Sequence, residues 1–329
     1  MPVNLFVSDM HMGDGAGMLE PNAWSWCRQS TVDNFLKFLD YINSRNDISN
    51  LILLGDMFDT WIFPYDITPP TMDSLIACDF VRPVIEKIQQ LAQKINVIFC
   101  GGNHDILLNT SILKRYFPNM SDLVDFVVIS NIRAEHGHAR ALFNAPDLDV
   151  PDNLPFGYFI SRVYATIDRD TGSHSVNYID FKRTLSDAFK GENVSDAILD
   201  IMTKKAGMSR DAIIKMPRDL WGGRNVSLEQ VISIYSNIVE RFEKRNGKIA
   251  TVLSIPAELD HLEYAADRLY AENIQTIIMG HTHIPAIISQ HEGTYANTGY
   301  WGSDPENETW IEVENNMKPI LYKFSQLNL

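Results

Sequence analysis

The stretch Leu51-Ile-Leu-Leu-Gly-Asp56 constrains this chain more than any other. An apolar run that ends in Gly-Asp reads as a strand buried on both faces, the kind parallel sheets use, presenting a carboxylate at its tip. Open α/β sheets bind ligands beyond the carboxyl ends of such strands. The same order of apolar run and then Asp, Asn or His returns in Leu5-Phe-Val-Ser-Asp9-Met-His11, in Val97-Ile-Phe-Cys-Gly-Gly-Asn103-His104-Asp105 and in Ile277-Ile-Met-Gly-His281-Thr-His283. Strand ends carrying these donors predict one metal centre, with Asp56 bridging two ions.

Each motif alone is weak. Asp9 and His11, two residues apart on a strand end, point to one side and can grip one ion, but a lone Asp-x-His is as often an ordinary surface strand end. His281-Thr-His283 has the same geometry and the same bland reading. Asn103-His104-Asp105 could be a turn with a helix cap. The joint pattern decides. Asp9, His11, Asp56, Asn103, one histidine of His136-Gly-His138, His281 and His283 would saturate a single ion. Two ions sharing Asp56 would each have about four donors and keep room for water and substrate. Asp, Asn and His without Cys suit Mn²⁺, Fe or Zn²⁺. Two divalent ions are expected, Mn²⁺ foremost.

Charge bears on the partner. The net charge of -14 over 329 residues argues against attraction to nucleic-acid phosphates, although bound cations would reverse the sign locally. Cys27, Cys78 and Cys100 form no disulfide or zinc pattern and read as free thiols in a reducing compartment. Nothing resembles a signal peptide, and no apolar run approaches the roughly 20 residues that span a bilayer. A soluble, cytoplasmic protein is expected; the sequence leaves peripheral membrane contact and oligomeric state open.

The expected fold class is α/β, an α+β sandwich of two mixed sheets flanked by helices. Strands are expected at 3–8, 51–55, 96–100, about 125–135 and 275–279. Ser30 reads as the cap of a helix carrying Phe35, Phe38, Leu39 and Ile42, and Pro83 as the start or kink of a helix within 73–95. From about 139 the strand-then-donor order disappears. Residues 1–145 and 255–329 read as the core, and 146–254 as a mainly helical insertion or cap, with helices near 156–169, 178–190, 195–206 and 227–246. A helix near 258–272 should lead back into the sheet. Short strands at 285–290, 293–297, 308–314 and 318–324 are expected to be antiparallel.

The series Asp-x-His, Gly-Asp-x-x-Asp, Gly-Asn-His-Asp, His-Gly-His and Gly-His-Thr-His resembles the calcineurin-like metallophosphoesterase superfamily across the chain apart from the insertion. The resemblance implies a two-sheet sandwich with a dinuclear centre. It assigns Asp9, His11, Asp56 and His283 to one ion, and Asp56, Asn103, His136 and His281 to the other, preferring His136 to His138. It makes His104 the catalytic histidine near the leaving oxygen, supported by Asp105. Gly-Asp-Met-Phe-Asp-Thr-Trp61 is similar to the same segment of UDP-2,3-diacylglucosamine hydrolases, which also carry a helical insertion. The insertion here is longer, and His136-Gly-His138 departs from the usual His-Gly-Asp of that branch. The protein phosphatase branch fits worse, since Thr60-Trp61 and Asp105 replace its Arg-Gly and Glu.

The expected activity is hydrolysis of a phosphomonoester, phosphodiester or pyrophosphate of a small-molecule or lipid-linked substrate. The alternative is a nuclease or cyclic-nucleotide phosphodiesterase on the same centre. A non-catalytic scaffold would have lost donors, and every one is present. His138, Trp61 and Arg224 are the expected substrate contacts, with Arg162, Lys182 and Arg183 as further candidates for substrate phosphates. Phe156, Tyr158 and Phe159 read as the core of the insertion.

Overall fold

The computed structural model describes residues 2–19, 23–147, 149–150, 154–172, 206–258, 261–302, 308–314 and 317–327, together with 197, 200, 203 and 204. Strands β1 (Val3–Val7), β2 (Ile48–Leu54) and β3 (Asn96–Cys100) run parallel. With β11 (Thr309–Glu314) and β12 (Ile320–Lys323) they form a sheet ordered β12-β11-β1-β2-β3. The second sheet is ordered β4-β5-β8-β10-β9, from β4 (Phe126–Ile129), β5 (Ile132–Glu135), β8 (Thr276–Met279), β9 (Ala286–Ser289) and β10 (Thr294–Asn297).

Strand alternation builds the layers. Phe6, Ile52, Leu54, Ile98 and Cys100 face inward and meet Ile132, Ala134, Ile278 and Ala296 of the second sheet in one buried cluster. The alternate residues Leu5, Val7, Leu51, Leu53, Val97 and Phe99 face outward, packing with α1 (Gln29–Ser44) and α3 (Arg82–Leu91). Behind the second sheet, Ile277 and Met279 pack with Leu262, Ala265 and Ala266. Helix, sheet, sheet and helix thus stack in four layers. The C-terminal tips of β1, β2, β3, β5 and β8 share one rim: within each sheet these strands run parallel, and across the sheets His136 after β5 reaches Leu54 O while the His281 N–H after β8 reaches Asp9.

Several local expectations are corrected. Arg28, with no side-chain cap, precedes α1, so Ser30 lies inside the helix. The stretch 73–95 divides into α2 (Met72–Ile76) and α3, with Pro83 in the first turn of α3, where its missing N–H costs nothing. β10 pairs parallel to β8, whereas β9, β11 and β12 join by antiparallel pairings. In place of one helix near 258–272, the described residues there hold α9 (Glu263–Ala266) and a following 3-10 turn.

Short α4 (Thr110–Tyr116) follows β3, and between β5 and β8 helix α5 (Phe156–Thr171) follows Pro155. A two-residue pairing of β6 (Ile213–Ile214) with β7 (Val226–Ser227) precedes α6 (Leu228–Tyr235) and α7 (Ile238–Asn246). The last two replace one helix over 227–246, broken at Asn237, whose φ is 60°. Then α8 (Lys248–Glu258) leads back to the sheet. Phe156, Tyr158, Phe159, Val231 and Tyr235 share a core into which Trp61 reaches from the sandwich. The stretch 178–190 lies outside the described residues, as do Lys182 and Arg183; 195–206 is described as helical only at 197, 200, 203, 204 and 206.

Candidate metal centre

The donors lie just beyond the strands, and most occupy left-handed backbone. Asp9, His11, Asp56, His281 and His283 have φ of 58°, 49°, 52°, 71° and 61°. Such residues cost about 1–2 kcal/mol each outside glycine. That strain, rather than strand alternation, turns Asp9 with His11, and His281 with His283, into one place. Close approach by glycine completes the rim. A Cβ on Gly102 would lie 2.1 Å from Asp56 Oδ1, and one on Gly280 would lie 2.5 Å from Asp9 Oδ2.

Three groups of possible donors result, Asp9-His11-His283, Asp56-His136-His281 and, sharing His11 with the first, His11-Asp59-His104. In the first, His283 Nε2 is 3.2 Å from Asp9 Oδ1 and 3.1 Å from His11 Nε2. In the second, His136 Nε2 is 3.1 Å from both Asp56 Oδ2 and Asn103 Oδ1. Asp56 stands between the groups: its Oδ2 is also 3.9 Å from His11 Nε2, while its Oδ1 accepts the His104 N–H at 2.8 Å.

The donors fit divalent ions. Asp9 Oδ1 is buried and accepts no hydrogen bond, whereas Asp9 Oδ2 accepts from Ser8 and from His281 N–H. Nitrogens that share an ion at about 2.1 Å and right angles stand about 3 Å apart, which is the His11–His283 spacing. The ring nitrogens away from the site are held. His136 Nδ1 donates to Leu54 O at 2.8 Å, and His11 Nδ1 donates to Asp59 Oδ2 at 3.0 Å, so the neutral form of each ring offers Nε2 to a cation.

Asp59, rather than Asp105, supports His104. Asp59 Oδ2 receives His104 Nδ1 at 3.0 Å as well as His11, and its Oδ1 accepts the N–H groups of Trp61 and Ile62. Asp105 instead accepts the backbone N–H groups of Met57 and Gly102, clamping the β2 and β3 turns together. Burial and the Asp56 charge push its carboxyl up to about 7. Burial opposes the charge on Asp56 too, but His136 and His104 hold it well below the usual carboxylate range.

The expected substrate contacts lie elsewhere. Trp61 is fully buried and stacks behind His104, with centroids 4.5 Å apart. His138 sits beside His136 and His281, and burial with the His136 charge pulls it down to about 3. Arg224 is exposed. Trp61, His138 and Arg224 are all absent from the described lining of the cavity over the centre. Arg162 is buried and donates to backbone carbonyls.

That cavity, about 470 Å³, is reached by Asp56, Asn103, His104, His281 and His283. Its other walls include Trp24, Trp26, Tyr164, Tyr300, Asn144 and Glu258, which sequence reasoning missed. Trp26 lies 4.9 Å from the His11 ring, and Tyr300 stacks on His283 at 4.3 Å. The only signal for the tryptophans was the close pair Trp24-Ser-Trp26 in a loop behind Asp9-x-His11. A single Glu in a helix gives none.

The metal-free centre has a stated pH dependence. Burial opposes charging His11, but its bonds to Asp59 and Asp9 and the field of Asp56 hold it up at about 10. Against the same burial, Asp56 and Asp9 raise His136 to about 9. These raised values stabilise the metal-free fold fully below about 6.5, the unfolded value, and that stability is lost as pH climbs through 9 to 10. Metal binds neutral imidazole. Metal affinity should therefore rise from about pH 6.5 to 10, and loading at pH 7 should release about two protons per chain, read with an indicator dye in weak buffer. Loading without proton release would refute this.

The family pattern of calcineurin-like phosphoesterases matches residues 4–285. UDP-2,3-diacylglucosamine hydrolase of Shewanella halifaxensis is 31% identical over 111 residues, which is 34% of this chain and 37% of that protein. Its counterpart in Shewanella baltica is 30% identical over 104 residues, 32% and 33% of the two chains. The matches thus cover little more than a third of these relatives' lengths. Among solved structures, a dimetal phosphatase from Danio rerio is similar at 12% identity and a TM-score of 0.43, covering 98% of this chain and 99% of that one. An archaeal phosphodiesterase is similar at 12% identity and a TM-score of 0.36, covering 97% and 99%. The family match embraces every donor from Asp9 to His283, and the chain belongs to the calcineurin-like phosphoesterases, hydrolases of phosphoester bonds with a divalent metal centre.

Proposed function

We propose that this chain hydrolyses a small-molecule or lipid-linked phosphoester with two divalent ions held on either side of Asp56. The observation that carries the reading is the place of Asp56 Oδ2, 3.1 Å from His136 Nε2 and 3.9 Å from His11 Nε2, with Oδ1 already taken by His104 N–H. One ion would be held by Asp9, His11, His283 and Asp56, the other by Asp56, Asn103, His136 and His281. Mn²⁺ suits this set of carboxylate, amide and imidazole donors, as Fe and Zn²⁺ do. When bound, such a pair supplies Lewis acidity and a water acidic enough to attack phosphorus at neutral pH.

The remaining work falls to the chain's own groups. His104 keeps Nδ1–H on Asp59, which fixes the ring's orientation, and faces the cavity; in its doubly protonated form, whose charge the Asp59 carboxylate offsets, it can hand the Nε2 proton to the leaving oxygen. Trp61 stacked behind it fixes the ring plane. Trp26 and Tyr300 pack on the His11 and His283 rings and shield the donors from bulk water. Phe143, Ile160, Ala165 and Ile284 give the cavity an apolar wall. That wall and the named activity of the Shewanella relatives support an organic or lipid-linked leaving group.

The test is direct. The metal-stripped protein, reloaded with Mn²⁺, should bind two ions per chain and turn over bis-aryl or mono-aryl phosphates. Assays of UDP-diacylglucosamine, cyclic nucleotides and single-stranded DNA then separate the substrate classes. Absence of turnover on all of them with Mn²⁺, Zn²⁺ and Fe alike would end the proposal.

A further inference from the structure

Behind the metal donors a chain of amides leads to a carboxylate at the end of α8. Asn103 Nδ2 donates to Asn144 Oδ1 at 3.2 Å, and Asn144 Nδ2 donates to Glu258 Oε2 at 3.1 Å. Glu258 Oε1 accepts the backbone N–H groups of Phe143 and Asn144. Asn144 has little room to swing, because a Cβ on Gly157 of α5 would already lie 2.5 Å from its Oδ1. Neither Asn144 nor Glu258 belongs to the donor set, yet both line the cavity.

We propose that Glu258 is a positioning residue for the metal centre: acting through Asn144, it holds the Asn103 amide with Oδ1 turned toward Asp56 and His136. The reason is the direction of the chain. Burial pushes the Glu258 carboxyl up to about 7, and in the ionised form that prevails above that pH it only accepts, so Asn144 must offer it Nδ2. Asn144 then has only Oδ1 for Asn103, and Asn103 must answer with Nδ2. Asn103 Oδ1 is thereby left on the side of His136 Nε2, 3.1 Å away, where a cation needs an oxygen. An Asn103 amide turned the other way would face the ion with hydrogens. The terminal acceptor sets both amides at once, and it sits at the end of α8, the helix that leads back to the sheet.

This inference rests on the dinuclear reading. Its test is the binding of each Mn²⁺ to the full-length parent and to E258Q and N144L, followed by calorimetry beside the melting temperature of the metal-free forms. In E258Q the side-chain oxygen can stay on the two backbone donors while the new NH₂ faces Asn144, which turns both amides over. In N144L the relay is cut, while the carboxylate keeps its backbone donors. Both variants should bind one of the two ions about 10–100-fold more weakly and the other as the parent does. If E258Q fails to fold, N144L carries the test. Two ions bound with parental affinity overturn the relay, and lower melting temperatures with unchanged ion affinity reduce Glu258 to a structural anchor. A parent that binds a single ion overturns the dinuclear reading and the relay with it, whereas a parent that binds two with unaffected variants overturns the relay alone.

Discussion

Replacing Asp56 by asparagine will lower kcat/KM by at least about 10³-fold and leave no more than one tightly bound ion per chain. The substitution is nearly isosteric. Asp56 Oδ1 holds the His104 backbone N–H at 2.8 Å, and an amide oxygen can keep that bond. What changes is Oδ2, which becomes an NH₂ aimed between His136 and His11, 3.1 Å and 3.9 Å from their Nε2 atoms. A donor group there repels both cations together, so the loss is shared by the two sites. Alanine would also remove the tie to His104, which is why asparagine is the cleaner probe. His104→Ala is the contrasting case. On the proposed reading its ring faces the leaving group, so that variant should keep two ions and lose about 10²- to 10⁴-fold in rate. The measurements are metal content after gel filtration and initial rates on an aryl phosphate ester. An Asp56→Asn enzyme with two ions and a parental rate would remove Asp56 from the centre, and a His104→Ala enzyme that sheds metal would make His104 a ligand.

The donors were legible because chemistry and position coincide in the sequence. A buried parallel strand is a nearly continuous apolar run, and the first polar residues after it must lie on the rim, as Asp9, Asp56, Asn103 and His281 do. Pro83 was legible as a helix start for a similar reason, since its ring allows little else. How the donors turn toward one another was not legible. Asp and His in left-handed backbone carry no local signature, and His11 reaches its place by that backbone rather than by strand pleat. Support for His104 was assigned to its sequence neighbour Asp105, while the bond is made by Asp59, brought alongside through the β2–β3 pairing. Trp61 looked like a substrate contact because it follows Gly-Asp-x-x-Asp. Two backbone N–H groups bound to Asp59 fold that segment inward instead, and the indole stacks behind His104. Glu258 gave no signal, since its meaning lies entirely in what α8 brings it against.

Arg162 was read as a candidate for a substrate phosphate, and the structure gives it a different task whose removal should be the largest stability effect away from the centre. Its guanidinium is fully buried on α5. Nε donates to Phe63 O at 2.6 Å, and the two terminal nitrogens donate to the carbonyls of Pro64, Tyr65, Ile67 and Lys215 and to the Tyr158 hydroxyl. Thr166, one turn on, receives the Tyr65 N–H at 2.9 Å, so one face of the helix gathers the whole 63–67 loop. That loop continues directly from Asp59, Trp61 and Ile62. A planar fork with five N–H donors can meet this many carbonyls; an ammonium with three cannot. Arg162→Met should therefore destabilise the fold by about 3–5 kcal/mol, because it takes the guanidinium donors from the carbonyls of Phe63, Ile67 and Lys215, while Pro64 O and Tyr65 O keep the N–H groups of Ile67 and Lys215. Arg162→Lys should recover less than half of that loss. Urea unfolding of the three proteins measures it. Arg162 does not line the cavity, so KM measured well below the melting transition should stay at the parental value. A variant of parental stability with a raised KM would return Arg162 to substrate binding. Lost stability with an unchanged KM would leave it as the residue that ties the insertion to the loop behind His104.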